Sequence, residues 1–146
     1  MWNGESSAID PPVNGKEPQR GCPNDCGLCS AHLRKGCCML LEQLAPAYIC
    51  ASPVSTGRGT VRCAHGELPV PAPATAFLLQ GIPTQPGPAA VTGELCTPTG
   101  AALLAQFAAS FGPRPALAEA ACGCGFGTKR FPLPNCVRAW LGYAPR

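Results

Sequence analysis

A small α+β domain is the fold class this sequence predicts: hairpin-linked strands in an antiparallel or mixed sheet, two helices on one face, and a flexible cysteine-rich segment ahead of it. Three observations predict it. Residues 60–65 alternate in polarity with a period of two, as a half-buried strand does. Residues 97–111 open on a threonine and a proline and then carry apolar residues at helical spacing. The composition also changes at Met39, from a polar, cysteine-dense stretch to one rich in Ala and Leu.

The elements follow in order. Residues 1–20 are polar, rich in Gly and Pro and without a period, and read as a flexible tail. Residues 21–38 hold five cysteines among almost no large apolar side chains and form a possible metal-binding segment. Residues 39–146 are the core domain. Within it, Ala47–Ala51 is a short apolar run, Gly57-Arg58-Gly59 a turn signal, and Thr60–His65 a strand with Val61, Cys63 and His65 on one face. These three predict a hairpin.

The run Pro69-Val70-Pro71-Ala72-Pro73 lacks the N–H groups for a regular ladder. It predicts extended chain up to a helix that begins near Pro73, packs through Ala74, Phe77 and Leu78, and ends at Gly81. The second helix starts behind Thr97, with Leu103, Leu104, Phe107, Ala108 and Phe111 on its buried face and Gly112-Pro113 as its stop. Ala116–Cys122 and Asn135–Leu141 read as strands, the second with Val137, Ala139 and Leu141 facing the core.

The bulk numbers bound the function. In 146 residues there is room for one domain and a short appendage. No run approaches the ~18–20 apolar residues of a membrane span, and residues 1–20 carry no apolar signal-like stretch. The expected compartment is therefore the cytoplasm, where 11 cysteines stay reduced and serve as metal ligands or buried thiols rather than disulfides. The net charge of +3 is small but uneven. From residue 114 onward only Glu119 opposes Arg114, Lys129, Arg130, Arg138 and Arg146, an excess that a small anion could use. Nucleic acid is not expected, because no aromatic residues interleave with the bases as a stacking platform.

Several residues could carry chemistry. Cys22, Cys26 and Cys29 are spaced so that three soft thiolates can converge on one ion or cluster, with Cys37, Cys38 or His32 completing the set. Zinc or an iron–sulfur cluster fits that donor set, and the alternative is a segment that binds nothing. His65, at a strand end before Gly66, is a candidate metal ligand or base, the alternative being a histidine satisfied by the backbone. Glu94 is the one acid between Glu67 and Glu119, and is a candidate base or ligand. Its alternative is an acid near the positive end of the helix at Thr97, worth only ~0.3–1 kcal/mol.

The loop Gly123–Lys129 presents Gly125, Gly127 and Lys129 as a possible phosphate cradle, or else a plain glycine-rich strand bend. Thr99 and Gly100, in the first turn of the second helix, are a second anion site of the same kind. Cys63, Cys96 and Cys136 read as small buried hydrophobes, and Cys122 and Cys124, between glycines, as exposed.

Two stretches resemble known families. The string Gly21-Cys22-Pro23-x-Asp25-Cys26-Gly27-Leu28-Cys29-x-x-His32, with Leu40-Leu41-Glu42 after it, resembles a cysteine segment of one branch of radical S-adenosylmethionine enzymes. No repeating strand–helix barrel follows, which excludes radical catalysis here. The second resemblance runs from about Leu41 to Gly142. It is carried by Ala51-Ser52-Pro53, Gly57-Arg58-Gly59-Thr60-Val61-Arg62-Cys63-Ala64-His65-Gly66, Leu68 to Thr75, Gly93-Glu94-Leu95-x-Thr97-Pro98-Thr99-Gly100-Ala101-Ala102, and Gly123-x-Gly125-x-Gly127-Thr128-Lys129-x-Phe131.

These strings resemble the nickel-insertion proteins that mature the nickel-pincer cofactor of lactate racemase. The resemblance implies a nickel chelatase with lyase-type chemistry, which places nickel into pyridinium-3,5-bisthiocarboxylic acid mononucleotide and consumes CTP. For that chemistry a base is needed near the nickel, and His65 could ligate or deprotonate while Glu94 could be the base or a ligand. Family members are longer, with an upstream domain bearing a histidine motif and a downstream nucleotide domain, so those parts are expected on a separate chain or missing, and the CTP site with them. Cys124 stands where the family usually has an aromatic. Three functions remain: an incomplete nickel-insertion protein, a cysteine-rich zinc or iron–sulfur module without catalysis, and an inactive remnant.

Overall fold

The structure, a computed structural model, describes residues 27–63, 66–127 and 129–144, with side chains from residue 34 onward apart from Cys63. It opens on an 18-residue helix, α1 (Gly27–Leu44), which makes a small contact with a later helix. Met39, Leu40 and Leu44 stay exposed on it.

Beyond α1 the chain makes many short strands in pairs. β1 (Cys50–Ala51), β2 (Val54–Ser55) and β3 (Gly57–Arg58) are followed by β4 (Thr60–Cys63) and β5 (Gly66–Pro69). Then come α2 (Pro73–Leu78), β6 (Thr84–Gln85), β7 (Gly93–Glu94), α3 (Pro98–Phe107), β8 (Ser110–Phe111), β9 (Ala118–Phe126) and β10 (Cys136–Tyr143). Among the described residues the strands form five two-stranded sheets: β1 with β8 and β2 with β6, both parallel, and β3 with β7, β4 with β5 and β9 with β10, all antiparallel. The class is α+β, as the sequence predicts.

The hairpin forms one step later than expected. β4 pairs with β5, not with the apolar run before it, and Gly57-Arg58 is itself a strand. Of Ala47–Ala51 only Cys50 and Ala51 are strand, and they pair with Ser110 and Phe111 far along the chain. The reason lies in Gly57 and Gly59: both have positive φ, 98° and 79°, and Gly57 lies so close to β7 that it belongs to a ladder rather than a turn.

α2 begins at Pro73 as expected, but it buries a different face. Thr75 is fully buried, Leu79 nearly so and Leu78 partly, whereas Ala74 and Phe77 are exposed, Phe77 at 69%. The helical spacing 75–78–79 is as regular as 74–77–78, and a polar partner inside the domain selects it. α3 matches its cap chemistry: Thr97 Oγ1 accepts the Gly100 N–H at 3.4 Å and Pro98 takes the first position. Its most buried residue is Ala101, which lets the helix approach Val54, Leu79 and Cys96 in the core, with Leu78, Ile82, Leu104 and Phe111 around them. The helix stops at Phe107, and Phe111 joins β8 instead.

The β9–β10 hairpin stands apart from this core and packs chiefly on itself. Val137, Ala139 and Leu141 do share one face, opposite Gly125, Gly123 and Ala121, but that face is exposed rather than turned to the core. Cys136 is likewise exposed, against the expectation of a buried thiol, while Cys96 is buried and Cys122 and Cys124 are exposed as expected. The period of two fixes which side chains share a face; it does not say which face is covered.

Candidate functional site: a buried carboxylate

The centre of the domain holds an acid. Glu94 is the second residue of β7, directly opposite Gly57 of β3. The two chains pass closely because glycine stands at both Gly57 and Gly93, where φ is +98° and +116°. The Leu95 N–H then donates to the Thr56 carbonyl at 3.1 Å, fixing the strand beyond. In this position the Glu94 side chain is turned inward and buried. Its Oε1 accepts a hydrogen bond from Thr75 Oγ1 at 3.2 Å, and Thr75 has no exposed surface.

Arg114 and Glu119 form an ion pair elsewhere in the chain, and no cation pairs with Glu94 among the described residues. Withdrawing a carboxylate from water without a cation is costly unless hydrogen bonds compensate, and the Thr75 hydroxyl supplies one. Thr75 was not singled out in the sequence. The signal that could have found it is the conflict it creates, a β-branched hydroxyl residue on the helix face that packs inward.

Cys96 lies two residues beyond Glu94 and is also buried. Burial first, and then the Glu94 charge, push its thiol up from 9.0 to about 11. This makes a linkage prediction. The unfolded chain loses the Cys96 proton near the ordinary value, while the folded chain keeps it until about pH 11. The stabilisation is therefore complete below about pH 9 and is lost as pH rises through 11. Thermal midpoints measured from pH 8 to 10.5 should fall more steeply for the native sequence than for Cys96→Ala. Parallel curves would show that Cys96 ionises freely in the folded state.

A cleft of about 220 Å³ opens beside this centre, lined by Thr56, Pro71, Ala76, Leu79 and Thr84. Two of its walls adjoin the site in sequence, since Thr56 precedes Gly57 and Ala76 follows Thr75. Glu94 itself is not on the lining. On the other side the Phe131 ring rests on Gly93, where a Cβ would meet its Cε1 at 3.8 Å, so the loop carrying Lys129 and Arg130 returns to β7.

The other sequence-predicted residues are placed as follows. His65, Cys22 and Cys26 lie outside the described residues. Cys29 is on α1, with its side chain outside them. Thr99 and Gly100 are half-buried in the first turn of α3, and the Gly100 N–H is engaged by the Thr97 cap. Gly125 belongs to β9 opposite Val137, and the Gly127 N–H donates to the Asn135 carbonyl at 3.1 Å. The backbone here is a strand and its closing bond rather than an open cradle, and Lys129 is exposed beside it. Among the described residues no three His, Cys, Asp or Glu side chains are grouped to hold a metal ion, and no helix is long and apolar enough to cross a membrane.

On β10, Arg138 lies among thiols. Hydrogen bonding to the Cys124 side chain, and then the charges of Cys124 and Cys122, hold its guanidinium proton more tightly than usual. Its carbon also sits 5.8 Å from the centre of the Trp140 ring, and that of Arg114 is 4.8 Å from the same ring.

Comparison with known proteins gives this arrangement a family. A protein of Geobacter metallireducens named "Putative nickel insertion protein" is 49% identical over 110 residues, covering 75% of this chain and 28% of its own length. A protein of Synechocystis sp. with the same name is 42% identical over 131 residues, 89% of this chain and 31% of its own. The pyridinium-3,5-bisthiocarboxylic acid mononucleotide nickel insertion protein of Staphylococcus saprophyticus is 46% identical over 104 residues, 71% of this chain and 26% of its own. The chain thus spans between about a quarter and a third of the length of these relatives. No solved structure matches it. Residues 35–146 match the family described as nickel insertion protein, and the chain belongs to that family.

Proposed function

We propose that this chain is the central piece of a nickel-insertion protein, and that Glu94 is the group in it that meets the reacting centre. The substrate is a nucleotide-like cofactor precursor of the kind named for the Staphylococcus relative, with nickel as cargo. The observation that carries the reading is the buried carboxylate held by a buried hydroxyl, with no cation beside it among the described residues.

Forming a bond between nickel and a ring carbon removes the proton from that carbon, and an oriented carboxylate is suited to accept it and to stand as a ligand to the nickel held there. Thr75 fixes the direction of one Glu94 oxygen, while burial keeps most water away from it. His65, whose imidazole suits nickel, is the proposed ligand on this chain. CTP consumption belongs to parts of the family protein that this chain does not span, supplied on the same or another polypeptide. The reaction takes place in the cytoplasm, where Cys96 and its fellow thiols stay reduced.

The test is a titration of the chain with Co(II) and Ni(II), followed by absorption. Glu94→Ala and His65→Ala should each weaken binding by at least about tenfold, the loss expected when a ligand or its support is removed. Affinity unchanged in Glu94→Ala would end the proposal for that residue. Zinc, or iron with sulfide, in the purified protein that disappears in Cys26→Ser would favour the metal-module reading instead.

A further inference from the structure

The register of the β9–β10 hairpin sorts its side chains into two faces. Directly opposed residues share a face, so Cys122 with Trp140, Cys124 with Arg138 and Phe126 with Cys136 lie together. Arg114, just ahead of β9, reaches the same indole, and both guanidinium carbons are within 6 Å of its ring centre. Two positive charges are thus gathered on one ring.

Only one of them has a carboxylate partner among the described residues, and Arg138 is hydrogen-bonded instead to the Cys124 side chain. Arg114 pairs with Glu119 through Nη1, and both members of that pair are about half exposed. Arg138 has no carboxylate partner among the described residues. Stacking on Trp140 limits the rotamers of both side chains, so less freedom is lost when they bind a ligand. Two guanidinium forks match the geometry of an oxyanion, and their combined charge suits a dianion better than a single carboxylate. A phosphate monoester carries roughly −1.5 to −2 at neutral pH and offers three acceptor oxygens.

We propose that this face of the β9–β10 hairpin, through Arg138 and Arg114 beside Trp140, binds the phosphate monoester group of a small molecule. Inorganic phosphate and the phosphate of a nucleotide share that chemistry, and the two are separated by the test. The site stands whether or not Glu94 handles nickel, because the experiment reads binding alone.

The chain has two tryptophans, so a Trp2→Phe background leaves Trp140 as the sole indole reporter. In that background, ribose 5-phosphate, which does not absorb where tryptophan does, should change Trp140 emission in a saturable way. Potassium chloride at matched ionic strength should not. Arg138→Gln should weaken ribose 5-phosphate binding at least tenfold, whereas Glu119→Gln, which frees Arg114, should tighten it about threefold. Arg130→Gln, in the neighbouring loop, should leave it unchanged. A response equal to that of chloride, an unaltered affinity in Arg138→Gln, or a response to inorganic phosphate but not to ribose 5-phosphate would each overturn the proposal.

Discussion

Gly57→Ala should destabilise the domain by at least about 3 kcal/mol, the largest single-residue effect expected in this chain. Two causes add. The residue sits at φ +98°, a conformation that a side chain adopts at a cost of about 1–2 kcal/mol. A Cβ at Gly57 would also lie 2.0 Å from the Gly93 carbonyl oxygen and 3.0 Å from the Leu95 nitrogen. Both are backbone atoms and cannot swing aside, so β7 must move. Gly66 separates the two causes: it has φ +100° but nothing within 4 Å of its Cβ position. Urea midpoints should therefore fall modestly in Gly66→Ala and much further in Gly57→Ala. Equal losses would mean that the close approach of β3 and β7 contributes nothing.

Thr75→Val should cost about 1–3 kcal/mol although it preserves the shape of the side chain, because it leaves the buried Glu94 carboxylate without its donor. Thr75→Ser keeps the hydroxyl and loses only a methyl group, so it should retain the hydrogen bond at a smaller cost. A double-mutant cycle gives the decisive number. In a Glu94→Leu background, Thr75→Val should be nearly neutral, so that the two changes couple by about 1–2 kcal/mol. Strict additivity would show that the hydroxyl and the carboxylate do not interact in solution.

These two residues also show where the sequence was readable and where it was not. The helix at Thr97 was legible because its start depends on neighbours: a hydroxyl, a proline and the amide of Gly100 lie within four residues of one another. The β9–β10 strands were legible in place, with three of their ends displaced by one or two residues, whereas β9 runs four residues further than expected, to Phe126, through glycines that read as a loop. α2 was placed correctly, but its buried face was not, because what draws Thr75 inward is Glu94, 19 residues further on. Phe77 and Val137 look like core residues by type, yet are 69% and 76% exposed. Side-chain character states a preference for burial, and only the neighbours decide whether it is met.

The two-residue strands left no periodic trace at all, since two positions cannot show a period. Glu94 was visible as an isolated acid in an apolar stretch. That its carboxylate is enclosed with a hydroxyl and a thiol depends on Gly57 and Gly93 passing each other, which no local pattern reveals.

Those two-residue pairings also set the order in which the molecule can assemble. Cys50 meets Ser110, Val54 meets Thr84 and Gly57 meets Glu94, so each rung closes a long loop and returns only two residues of ladder. Loop entropy must be lost before those contacts reward it. The helices and the β9–β10 hairpin join near neighbours and can form early, whereas the interior around Glu94 closes last. During synthesis, that closure waits until Phe111 has left the ribosome.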